Sequence, residues 1–166
     1  MLSHEGAFPL EGRFEGPSEF AQALRGGIQL ARAQQWKHMV WCDVDFVNWP
    51  LREKAVVEAL HEWAGAGRTL TLLAKRYQQV TLLHPRFVQW RVTWSHLVDA
   101  RVVKHLDDAE LPSAFLGPQW YLHRRDPVRS VGVWGQEPRS RVELKETLDE
   151  CFRQSSPGFP ASTLGL

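Results

Sequence analysis

The apolar positions of the chain change period several times, and each change marks an element. Phe20, Ala23, Leu24, Ile28 and Ala31 recur at helical spacing with Arg25 and Arg32 on the opposite side, which predicts a helix over residues 18–34. Ser18 stands where a capping oxygen is wanted, and Glu19 suits the positive helix start. Residues 38–46 (HMVWCDVDF) are rich in β-formers and apolar on both alternating faces, the pattern of a central strand covered on each side. Asn48, Trp49 and Pro50 end it. Val56, Val57, Leu60 and Trp63 then form a helical stripe within residues 52–64, closed by Gly65 and Gly67 before a second apolar strand, residues 69–74.

Residues 77–95 read as helix interrupted at His84-Pro85, because proline restricts the residue before it and fits the first turn of a new helix. Residues 97–103 make a third strand. This alternation predicts an α/β domain built on a mixed, mostly parallel sheet with helices on both faces. Beyond Asp107, residues 113–116, 119–122 and 129–134 read as short strands divided by Gly117-Pro118 and Asp126-Pro127, antiparallel additions to that sheet. Ser140 and Glu143 form a capping box for a last helix with Leu144, Leu148, Cys151 and Phe152 on one face. The chain thus divides into an irregular arm (1–17), one domain (18–154) and a tail (155–166).

Composition narrows the partners. At 166 residues the chain can bury a substantial core without disulfides or a structural metal. Twenty basic and nineteen acidic side chains leave a net charge of +1, so no general nucleic-acid coat is implied and any charged partner must be met locally. Cys42 and Cys151 lie in apolar stretches without metal-type spacing, and the histidines are scattered, so neither a metal nor a cofactor is expected. Reduced thiols, no signal-type apolar run and no long apolar segment predict a cytoplasmic chain with no membrane contact.

The element order, together with FAQALRGGIQLARAQ, MVWCDVDF, VVEALHEWA, LTLLAK, LPSAFLGPQWYL and LKETLDECFRQSSP, resembles an uncharacterised bacterial domain family with a predicted phospholipase D-like fold, found alone or fused to acetyltransferase-like domains. The resemblance spans roughly residues 18 to 157. It implies a single phospholipase D-like lobe, and such lobes commonly act in pairs, hence a homodimer. Active members use His-x-Lys-x4-Asp, with histidine attacking phosphorus and lysine steadying the phosphoryl oxygens. Where the resemblance places that motif, residues 111–120 read LPSAFLGPQW, without histidine or lysine. A shifted alignment offers His123 and Arg125, but its aspartate position is Ser130. The implied protein is a catalytically degenerate domain that binds instead of reacting.

Three constellations carry possible chemistry. Asp43 and Asp45 end the first strand, where α/β sheets bind ligands; Lys75 and Arg76 follow the second strand, and together the four mark a site for a small anionic ligand. The same Asp43-x-Asp45 string resembles the opening motif of haloacid dehalogenase-type phosphatases. In that alternative Asp43 is the nucleophile, Asp45 the acid/base, Lys104 the later lysine, and Asp107 and Asp108 the paired acids of a Mg²⁺ site. The bland counterpart is a pair of carboxylates capping nearby amides. Finally, Arg86 to Trp94 interleaves aromatic and basic side chains; it offers nucleobase stacking as a further alternative, although Trp90 and Trp94, four apart, suit an inward helical face better. Nucleic acid is therefore not the expected partner.

Overall fold

The computed structural model describes residues 8–161. Eight strands form one sheet: β1 (Gly12–Glu15), β2 (His38–Cys42), β3 (Thr69–Ala74), β4 (Val98–Val102), β5 (Ala114–Leu116), β6 (Tyr121–Asp126), β7 (Val131–Gly135) and β8 (Ser156–Pro157). Their spatial order is β1-β7-β6-β5-β2-β3-β4-β8. Five helices accompany them: α1 (Pro17–Gln34), α2 (Lys54–Trp63), α3 (Gln78–Leu83), α4 (Pro85–Thr93) and α5 (Pro138–Arg153).

The three expected parallel strands are present and adjacent, β2 beside β3 and β3 beside β4, joined through helices. The sheet as a whole is nevertheless mostly antiparallel, a correction to the mostly parallel expectation. The pairs β1/β7, β7/β6, β6/β5, β5/β2 and β4/β8 all run antiparallel. The reason is connection length: four residues separate β5 from β6 and four separate β6 from β7, enough for a reversal and far too few for a parallel crossover. Two further strands arise in stretches read as arm and tail. Gly12–Glu15 pairs with β7, and Ser156–Pro157 pairs with β4.

Period-2 alternation divides the sheet's side chains between two cores. Met39 and Trp41 of β2, Leu70 and Leu72 of β3 and Phe115 of β5 face the larger core with α1 to α4. Cys42, Leu73, Ala114 and Tyr121 face the smaller one, where, among the described residues, α5 is the one helix and supplies Leu144, Leu148 and Cys151. Helices therefore lie on both faces, unequally. Phe152, expected beside them, is 37% exposed and lies under the Arg101 guanidinium, 4.7 Å from its ring centre.

Helix starts also differ from the expected caps. Pro17 opens α1 with Gly16 as N-cap at φ 97°, a conformation glycine tolerates, so Ser18 is already helical. Pro138 likewise opens α5 ahead of Ser140, and the Glu137 carboxylate, not Ser140, is the capping acceptor, receiving the Ser140 amide at 3.0 Å. In each case proline at the first helical position moves the start upstream of the serine.

Candidate functional site

Strand β2 ends at Cys42, and the chain then turns sharply around Asp43. Its amide donates to Leu73 O at 3.0 Å, which continues the β3 pairing by one residue. One carboxylate oxygen accepts the amides of Phe46 (2.8 Å) and Asp45 (3.3 Å), so the side chain caps its own turn. The strand is consequently shorter than the residues 38–46 expected, and Phe46 sits at φ 60°. This much matches the capping alternative for the carboxylate.

The other oxygen meets partners far along the sequence. It accepts the Ser113 hydroxyl at 2.7 Å and the Arg124 Nη2 at 2.9 Å. Arg124 reaches Ser113 Oγ through Nε (3.0 Å) and Asn48 Oδ1 and Ser130 Oγ through Nη1 (both 3.1 Å), with its guanidinium carbon 4.2 Å from the centre of the Phe20 ring. Asp43 and Arg124 are 2% and 4% exposed. Backbone geometry aims the arginine: register slips between His123 and Asp126, and Gly132 of β7 lies so close that a Cβ there would stand 2.1 Å from His123 O. Alternation on β6 puts Arg124 on the Leu122 side, toward the larger core, and leaves His123 on the α5 side.

The remaining edge residues do not join this network. Asp45 accepts the Val47 amide at 3.1 Å. Lys75 Nζ donates to Leu106 O. Arg76 grips both oxygens of Asp108 (2.7 and 3.0 Å), and this bond pushes the arginine up and holds the Asp108 carboxyl below the ordinary range. Lys104 is exposed, and the Asp107 amide donates to Glu110 Oε1 at 2.8 Å. Lys75, Arg76 and Asp108 thus form a loop-binding cluster, while Asp43 turns inward. Among the described residues no group of three or more His, Cys, Asp or Glu side chains is placed to hold a metal ion. Asp43, Asp45, Asp107 and Asp108 are accordingly not gathered around one ion.

Within residues 111–120, Ser113 is the one side chain that joins the network, and it is 3% exposed. His123 and Arg125 of the shifted motif border a hollow beside α5, whereas Ser130 bonds Arg124 in the buried network, so the three do not converge. In the aromatic segment, Phe87, Trp90 and Arg91 are buried; Arg91 Nε donates to Phe159 O at 3.1 Å, and burial pulls the guanidinium pKa down. Arg86 and Trp94 remain partly accessible, with Trp94 Nε1 donating to His61 at 3.3 Å. Cys42 and Cys151 are both free and buried, and burial pushes both thiols up, away from reactive thiolate.

No family model and no curated protein matches the sequence. Solved structures do. TrmBL2, an archaeal chromatin protein whose structure shows a novel mode of DNA binding, superposes with a TM-score of 0.63 at 11% identity, over 90% of this chain and 54% of that one. This chain therefore spans about half the length of TrmBL2. NucT from Helicobacter pylori gives 0.58 at 8% identity, over 89% of this chain and 98% of its own. Nuc from Salmonella typhimurium, a phospholipase D family member, gives 0.54 at 9% identity with the same coverage of 89% and 98%. At these identities the likeness establishes architecture alone. The chain has a phospholipase D-like fold.

Proposed function

We propose that this protein is a non-catalytic phospholipase D-like domain that works as a binding module. One observation carries the reading: the Asp43 turn, where the sequence suggested a ligand edge, is filled by a closed network of Asp43, Arg124, Ser113, Ser130 and Asn48. Both oxygens of Asp43 are committed to internal donors, and nucleophilic attack needs an oxygen a substrate can reach. Ser113 is equally enclosed and shares its hydroxyl between Asp43 and Arg124. The network holds the strand ends together, and binding is left to other surfaces. Pairing of two copies belongs to this reading and is read directly by sedimentation velocity.

The test is turnover. Bis(p-nitrophenyl) phosphate and p-nitrophenyl phosphate, each with and without Mg²⁺, are expected to give no release above the blank. Turnover that vanishes in Asp43→Asn while the fold persists would replace this reading with the phosphatase one.

The TrmBL2 likeness favours nucleic acid as a second reading. Burial of Trp90 and Arg91 removes most of the expected stacking segment and leaves Arg86 and Trp94 to carry it. Such binding would show in the anisotropy of a labelled duplex as an affinity that falls steeply with salt. Flat or absent binding retains the first reading.

A further inference from the structure

Among the described residues the two faces of the sheet are covered unequally, four helices against one, and α5 leaves a cleft of about 410 Å³ between itself and strands β2, β3 and β5. That volume lies within the ~300–1,000 Å³ typical of sites for a single small molecule. Its floor is the α5-facing set of alternate strand positions, Val40, Thr71, Leu73 and Leu116, and Leu148 walls it from the helix. The rim is charged. Arg141 and Lys145 stand four apart on α5, so they share a side of the helix, with His38 and Asp149 beside them.

The charges at this rim are not balanced. Lys145 pairs with Asp149 at 2.8 Å. Arg141 spends Nε and Nη1 on the carbonyls of Gln136 (3.0 Å) and Pro118 (3.4 Å), and among the described residues it forms no ion pair with a carboxylate. Burial, and after it Lys145, holds His38 below its ordinary range, so the imidazole is neutral near pH 7.5 and does not alter the balance. An apolar floor beneath a rim with an uncompensated guanidinium is complementary to a molecule with a hydrocarbon body and one negative head. A cationic amphiphile would meet like charge, and a fully polar anion would leave the floor uncovered.

We infer that the α5 cleft binds one free amphiphilic anion, with its hydrocarbon body over Val40, Leu73 and Leu116 and its carboxylate-type head at Arg141 and Lys145. The inference rests on the binding-module reading and supplies its ligand class. No covalent step is involved.

Decanoate, kept below its micelle threshold, is the probe, titrated calorimetrically into the whole chain near pH 7.5. One molecule is expected to bind per chain. The double variant Arg141→Gln/Lys145→Glu should weaken decanoate by about tenfold or more while 1-decanol stays within about twofold. Val40→Trp, which fills the floor, should remove both. If that variant fails to fold, a nitroxide-tagged decanoate reports instead, and is expected to broaden the amide signals of Val40, Thr71 and Leu116 in the unsubstituted chain. Unsaturable or absent decanoate binding, equal binding of decyltrimethylammonium, indifference to the double variant, or broadening centred elsewhere would overturn the inference. Turnover assays decide the binding-module reading separately: absent turnover with absent decanoate binding sinks the ligand class alone.

Discussion

Asp43 uses both carboxylate oxygens inside the protein, one on the amides of its own turn and one on Ser113 and Arg124. A buried pair of this kind returns little net stability when both partners are present, because each ion has lost its water. Removing one partner is different, since the other charge then remains buried without compensation. Asp43→Asn and Arg124→Met are each expected to lower unfolding free energy by about 3–5 kcal/mol. The paired change Asp43→Asn/Arg124→Met should cost less than the sum of the two, since it leaves neither charge buried alone. Urea titration of the four proteins closes the cycle; strict additivity would mean that the two side chains act independently. Arg124 also had a trace in the sequence. In Tyr121-Leu122-His123-Arg124 the arginine shares the parity of Leu122, an inward position, and a charge at such a position demands a buried partner. Which carboxylate answers it was not legible, because Asp43 lies 81 residues away.

Elements depend on how closely backbones can approach. At the β6/β7 irregularity, Gly132 brings β7 against the His123 carbonyl and the Phe14 ring, where a Cβ would stand 2.1 and 2.6 Å away. The first neighbour is backbone and cannot swing aside. Gly132→Ala is therefore expected to cost about 1–3 kcal/mol and to disturb the Arg124 network along with the strand pairing, visible as loss of protection in amide exchange at β6. At α5, Glu137→Ala removes the acceptor for the Ser140 amide and should lower the unfolding midpoint, whereas Ser140→Ala keeps the carboxylate in place and should lower it less. Thermal unfolding of the two variants ranks them; the reverse order would restore the Ser140 capping box. Helices and the three parallel strands were legible because their apolar periods are long and regular. β1 and β8 were not. Gly12–Glu15 turns only Phe14 fully into the core, and Ser156–Pro157 has two residues, both exposed, so neither carries a period. Their strand character comes from free edges at β7 and β4.

Across the whole molecule, the candidate site was the least legible part, since it depends on which way side chains point at the strand ends. Asp43 and Lys75 were correctly assigned to the ends of neighbouring strands, yet one turns into the core and the other reaches Leu106 O. Burial of histidines also decides how the protein responds to acid. His84 is fully buried between α3 and α4, and its Nε2 lies 2.9 Å from the Phe46 carbonyl. A carbonyl only accepts, so Nε2 carries the proton in the neutral ring. Burial holds His84 below its ordinary value, and burial followed by Arg125 does the same to His123. In the unfolded chain both rings titrate near the usual pKa of about 6.5. Between that value and the lower folded values, the unfolded state binds more protons, so stability is fully present above about pH 6.5 and is lost as pH falls through it. The denaturation midpoint in urea should decline on going from about pH 7.5 to pH 5, before most carboxylates titrate. His84→Gln, which retains a donor for Phe46 O but cannot take up a proton, should flatten that decline even if it lowers the plateau. An unchanged slope in His84→Gln would assign the acid response to other groups.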